Sequence, residues 1–180
     1  MTKYAEFLST FTSAVQSAKR DVNEIDLIAV SKKKSISEIQ EVINQQQFSF
    51  GENQLQEIVQ KWDYLKKKNN SIKLSYIGNI QSRKVKEIFN YCDLVHTLDR
   101  VKIVKLFSDI EKKNKKKLQY FIQVNTGDES QKSGVMMKDA EKFISDCLSS
   151  YDLDIIGLMC LPPLKEDPRK HFINLRDLAK

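Results

Sequence analysis

The sequence predicts an α/β fold, a parallel barrel of the TIM-type (β/α)8 kind, with about six of the eight strand–helix units carried by its 180 residues. Three observations carry that expectation. Short β-type runs alternate six times with longer helical ones, and the connections between them are short. Several of the runs are apolar on both faces, as strands covered on two sides must be. Glycine (5) and proline (3) are scarce, which disfavours a sandwich of many short strands. A doubly wound open sheet is the competing architecture, but no G-x-G-x-x-G follows the first strand.

The chain opens on an amphipathic helix in which Tyr4, Phe7, Leu8, Phe11 and Val15 recur at three- and four-residue steps. "DLIAVS" is the first strand. Ser35 and Glu38 then form an S-x-x-E capping box, each satisfying a free backbone N–H of a helix's first turn. "FSFGEN" turns at Gly51 into a helix carrying Leu55, Ile58, Val59 and Trp62. "KLSYIG" precedes a helix with Val85, Ile88 and Phe89. "DLVHTL" leads to a helix that Asp99 could cap and that buries Val101, Val104 and Ile110. "LQYFIQVN" runs through a loop to a helix with Ala140, Phe143, Ile144 and Leu148. "LDIIGLMCLP" is the sixth strand, and residues 168 to 180 begin a further helix. One domain is expected over residues 1–180.

Hydrophobic residues make up 41% and charged residues 30%, the balance of a soluble globular chain rather than a disordered one. No apolar run approaches the ~20 residues that span a bilayer, and the N-terminus lacks the apolar stretch of a signal peptide. A cytoplasmic protein is expected, with no membrane partner. The net charge of +6 raises the question of a nucleic-acid partner. Much of that charge sits in "YLKKKNN" and "EKKNKKK", where cations complement helix C-termini without interleaved aromatics, so no nucleic acid is expected. Cys92, Cys147 and Cys160 show no paired metal spacing and read as reduced thiols. No metal is expected, and His96 and His171 assemble no nucleophilic triad.

In a barrel of this kind the carboxyl ends of the strands form the functional face. Alternation puts Ile28, Val30 and Lys32 on one face, with Leu27, Ala29, Ser31 and Lys33 on the other. If Ile28 and Val30 point inward, Lys32 sits at the barrel mouth, partly desolvated, where a neutral amine can attack an aldehyde to form a Schiff base. The alternative is that all three lysines are a solvated loop. At the end of the second strand Gly51 permits close backbone approach, while Glu52 and Asn53 supply an acceptor and an amide. Asn53 reads equally as a helix N-cap. The charges of "YIGNIQSRK" read as helix surface. "VNTGDESQKSG", with Lys132, is a long polar loop that is either a lid or simply flexible. Met159, ending the sixth strand, is either barrel core or a ligand contact.

"IAVSKKKS", "FGENQLQE", "YIGNIQSRK", "HTLDR", "VNTGDESQKSG" and "GLMCLPP" stand in the order and approximate spacing of the pyridoxal phosphate homeostasis proteins, single-domain barrels similar to the N-terminal domain of alanine racemase. The resemblance covers residues 26 to 163. It implies that Lys32 carries pyridoxal 5′-phosphate (PLP) as a Schiff base, with Asn53 and Met159 among the cofactor-binding residues. It implies a PLP carrier with no catalytic residues, rather than an enzyme. A PLP-dependent amino-acid racemase on the same fold is the alternative reading; it would need acid-base groups on both faces of the cofactor. Family members often have His where Ser75 stands and Asn where Arg83 stands. In the family a serine-containing turn, a glycine-rich turn and an arginine follow the sixth strand and hold the phosphate. This sequence has none of them, so it is expected to lack the last two β/α units and to bind PLP more weakly. A complete barrel is expected to be a monomer, and the shorter one to self-associate through unpaired strand edges.

Overall fold

The computed structural model describes residues 2–129 and 131–180. Its elements run α1 (Lys3–Ser17), β1 (Ala29–Val30), α2 (Ile36–Ile43), β2 (Ser49–Glu52), α3 (Leu55–Lys68), β3 (Lys73–Tyr76), α4 (Val85–Tyr91) and β4 (Leu94–Leu98). They continue with α5 (Val101–Lys113), β5 (Gln119–Asn125), β6 (Val135–Met136), α6 (Met137–Ser149), β7 (Asp154–Met159) and α7 (Pro168–Leu178). Every strand pairing is parallel, and the six main strands lie in the order β1-β2-β3-β4-β5-β7. The expected rhythm of strand and helix is therefore met.

One strand was not expected. The polar loop after β5 contains β6, which pairs Val124↔Val135 and Asn125↔Met136 at the carboxyl end of β5. β7 pairs with the earlier stretch, Gln119 to Gln123. Two residues are too short for alternation to register, so the sequence reads only as loop.

The core lies between the sheet and its helices. Phe50, Leu74, Tyr76, Val95, Tyr120, Ile122 and Val124, alternating along their strands, join Ile58, Trp62, Ile88 and Phe107 from the helices in one buried cluster. Phe50 packs on Trp62 with ring centroids 4.9 Å apart, and Phe107 meets Tyr120 edge-on at 5.2 Å. Buried Glu111 joins the layers too, accepting from the Tyr120 hydroxyl at 2.7 Å and the Leu118 N–H at 2.8 Å.

The capping box at Ser35 and Glu38 forms as expected. The lysine runs end α3 and α5, where cations meet the negative helix terminus. Asp99 does not cap α5: Arg100 holds the N-cap position and pairs with the Asp99 carboxylate at 2.7 Å. On α5, Val101 is exposed and Ile103 is buried instead, one step around the helix. Cys147 likewise takes the buried place expected of Leu148. On α1 only Val15 is buried, and Phe7 stays half exposed.

Candidate functional site

The strand faces turned away from the helices form a second, more polar surface. A Cβ added at Gly51 would meet Ile28 at 3.1 Å and Ile77 at 3.2 Å, so these three share it. His96 stacks on Phe121 with ring centroids 4.4 Å apart, and its Nε2 lies 3.2 Å from Ser75 Oγ. Phe121 in turn lies against Gly157. Burial lowers the pKa of His96 below the ordinary histidine value, so near neutral pH it is an uncharged wall.

Lys32 stands in the turn directly after β1, exposed, and its amine has no hydrogen-bond or ion-pair partner among the described residues. The expected desolvation is absent, because the turn carries the side chain clear of the strand. The neighbouring lysines differ from it. The Lys33 backbone is left-handed at φ 61°, and its N–H donates to Glu57 Oε2 at 2.6 Å. The Lys34 amine pairs with Glu38 at 2.9 Å.

Asn53 follows the end of β2 as the lysine turn follows the end of β1, and the two strands are paired in parallel, Val30 with Gly51. Asn53 is not the N-cap of α3; that position belongs to Gln54. Its Oδ1 is buried and has no hydrogen-bond partner among the described residues. Glu52 does not join it. The carboxylate points to the helix side, where Oε1 accepts from Ser31 Oγ at 2.8 Å and Trp62 Nε1 at 3.2 Å.

Met159 lies half-buried at the end of β7, outside the buried core and in register with Gln123. Three strands separate β7 from β2, after which Asn53 stands, in the sheet order. Gln123 was not singled out by the sequence. It is buried, and its Nε2 donates to Ser133 O at 3.1 Å. That donation fixes the amide so that Oε1 is the acceptor, and Oε1 has no partner among the described residues. Alternation inward from Phe121 could have found it.

The loop after β5 is held down. The Asn125 amide donates to Glu129 O at 2.8 Å, Lys132 pairs with Glu129 at 2.5 Å, and Ser133 Oγ donates to Asn79 Oδ1 at 2.9 Å. A cavity of about 290 Å³ opens beside it, lined by Asn79, Gln123, Asn125, Lys132, Ser133 and Leu161. Arg83 lies apart on the surface, bonded to Gln81.

Residues 8–180 match the family model described as alanine racemase, N-terminal domain. The chain is similar to a protein of Pasteurella multocida named pyridoxal phosphate homeostasis protein, 34% identical over 91% of this chain and 70% of that one. A protein of the same name from Vibrio alginolyticus is 36% identical over 91% of this chain and 71% of its own length. Among solved structures, PipY of Synechococcus elongatus, described with PLP bound, superposes with a TM-score of 0.78 at 22% identity, over 92% of this chain and 78% of that one.

Proposed function

The chain belongs to the family of the alanine racemase N-terminal domain, and from that premise we propose that it binds PLP in a homeostatic role, holding the cofactor on Lys32 without catalytic turnover. The observation that carries the reading is an exposed lysine past the carboxyl end of β1 whose amine has no partner among the described residues, with an asparagine past the end of the adjacent β2 whose buried oxygen is also unsatisfied among them. The names of the relatives support the role. They support it over the racemase reading, as does the bound PLP of PipY over mere likeness of fold.

The residues present fit the cofactor. Asn53 Oδ1 and Gln123 Oε1 are buried acceptors that lack a donor among the described residues. PLP supplies an aldehyde and a conjugated ring. Lys32 would hold the group through its amine, the side-chain nucleophile suited to an aldehyde. Asn53 would orient the cofactor by hydrogen bonding, and Met159 would offer a soft apolar wall. We read residues 1–180 as one domain in the cytoplasm. No helix of the described residues is long and apolar enough to cross a membrane.

Borohydride reduction after addition of PLP, followed by peptide mass mapping, tests the assignment. A pyridoxyl label on Lys32 is expected; a label mainly on Lys33 or Lys34 overturns it. A chiral assay of L-alanine with added PLP is expected to show no turnover of ordinary enzyme size, and a rate of about 1 s⁻¹ or more would favour the racemase.

A further inference from the structure

On the helix side of β1 and β2 lies a buried ionic cluster that touches the lysine turn from below. Lys61, on α3, is 7% exposed. Its ammonium contacts Glu52 Oε1 at 2.8 Å and Glu57 Oε2 at 2.7 Å. It also donates to the backbone carbonyls of Ser31 at 3.0 Å and Lys34 at 3.3 Å. Those two carbonyls bracket Lys32 and Lys33. Glu57 completes the grip by accepting the Lys33 N–H. Glu52 binds the same turn through Ser31 Oγ and is itself tied to Trp62. Four groups of residues 31 to 34, the Ser31 hydroxyl and carbonyl, the Lys33 N–H and the Lys34 carbonyl, are thus bonded to one of three charged side chains.

A left-handed lysine is unfavourable on steric grounds, and such a backbone persists only where its surroundings over-determine it. Here the over-determination is visible, and it falls on the residue next to Lys32. Bonding to Lys61 leads the causes that lower the pKa of Glu57, and although burial disfavours the Lys61 ammonium, its bonds to Glu52 and Glu57 outweigh that and raise its pKa.

We propose that Glu57 and Lys61, supported by Glu52, are positioning residues that hold the 31–34 turn so that Lys32 alone of the three adjacent lysines reaches the cofactor. The proposal rests on the PLP-binding reading above and explains something that reading leaves open: three amines stand within three residues, and one is selected. Lys34 is diverted to Glu38, Lys33 is turned by its left-handed backbone, and Lys32 is left unpaired.

The distribution of the pyridoxyl label among Lys32, Lys33 and Lys34 tests it, because a general loss of stability does not redistribute label between neighbours. Glu57→Ala is expected to keep its circular dichroism spectrum, spread the label onto Lys33 and Lys34, and bind PLP about tenfold more weakly, the factor that one charge-assisted hydrogen bond carries. Glu57→Gln retains an oxygen for the Lys33 N–H and is expected to restore selectivity. Should Glu57→Ala fail to fold, the double variant Glu52→Gln with Lys61→Met gives the same readout, since it removes Lys61 together with its most buried partner and leaves only the partly exposed Glu57 carboxylate, still bonded to the Lys33 N–H. A folded variant that still labels Lys32 alone, with unchanged affinity, overturns the positioning role. A wild-type chain that takes no label on Lys32 overturns the PLP-binding reading itself, and the proposal with it.

Discussion

Replacing Gly78 by alanine is expected to disturb the fold and the site together. A Cβ there would lie 2.3 Å from the Asn53 carbonyl oxygen and 2.9 Å from the Asn53 carbonyl carbon and Cα. An unstrained carbon–oxygen contact is about 3.3 Å, so roughly 1 Å must be found by moving backbone. Gly78 cannot retreat freely, because its carbonyl accepts from buried Thr97 Oγ1 at 2.6 Å. Its φ is not positive, so the whole penalty is steric. Overpacking costs about 1–3 kcal/mol and weakening the Thr97 bond about 1 kcal/mol more, giving about 2–4 kcal/mol in all. With an m-value of about 2 kcal/mol/M, the urea midpoint should fall by about 1–2 M. PLP affinity, read by titration, should fall as well, since the displaced backbone is that of Asn53. Gly157→Ala is the control: its Cβ would meet only the Phe121 ring, at 2.9 Å, and a side chain can give way. A Gly78→Ala chain within about 0.5 kcal/mol of wild type, or one less affected than Gly157→Ala, would refute the steric argument.

The cysteines should differ in reactivity. Burial pushes the thiols of Cys92 and Cys147 up to about 12, whereas Cys160 is only half-buried. Alkylation of the native protein at pH 8 should therefore mark Cys160 first by peptide mapping, and Cys92 labelling at an equal rate would contradict the packing around it. Acid should loosen the start of α2. The Ser35 backbone N–H, then the Lys34 and Ser35 side chains, hold the Glu38 carboxyl down at about 2, against an ordinary 4.5. The folded value lies below the unfolded one, so the contribution is complete above pH 4.5 and disappears as pH falls toward 2. Thermal melts across that window should show a shallower acid slope for Glu38→Gln; an unchanged slope would remove Glu38 from the account.

The elements that announced themselves in the sequence are those whose stabilisation is local or periodic. The capping box needs only residues 35 to 38, and the strands show because each buries one face against helices. What the sequence hid depends on partners far along the chain. Lys61 looks like one more lysine of a charged helix; its burial comes from Glu52 and from a turn 30 residues earlier. Asn53 and Glu52 are adjacent and equally polar, and only the direction of the pleat sends one toward the site and the other toward Trp62. Phe50 and Trp62, both apolar, held that clue, since Glu52 must share the face of Phe50. Alternation extends the strand to Lys32 and places it at a desolvated mouth, whereas the strand ends at Val30 and a turn with a left-handed Lys33 leaves Lys32 exposed.

The two faces of the sheet divide the labour of the protein. Nearly all the large buried side chains lie between strands and helices, and the opposite face contributes Ser75, His96, Gln123 and Met159. Free energy of folding is therefore concentrated away from the surface that would meet a ligand. Exchanges on the polar face can alter what is bound while leaving the foundation intact, so this half of the sheet is free to diverge. Evolution, or a designer, could rewrite its chemistry residue by residue at little risk to the scaffold.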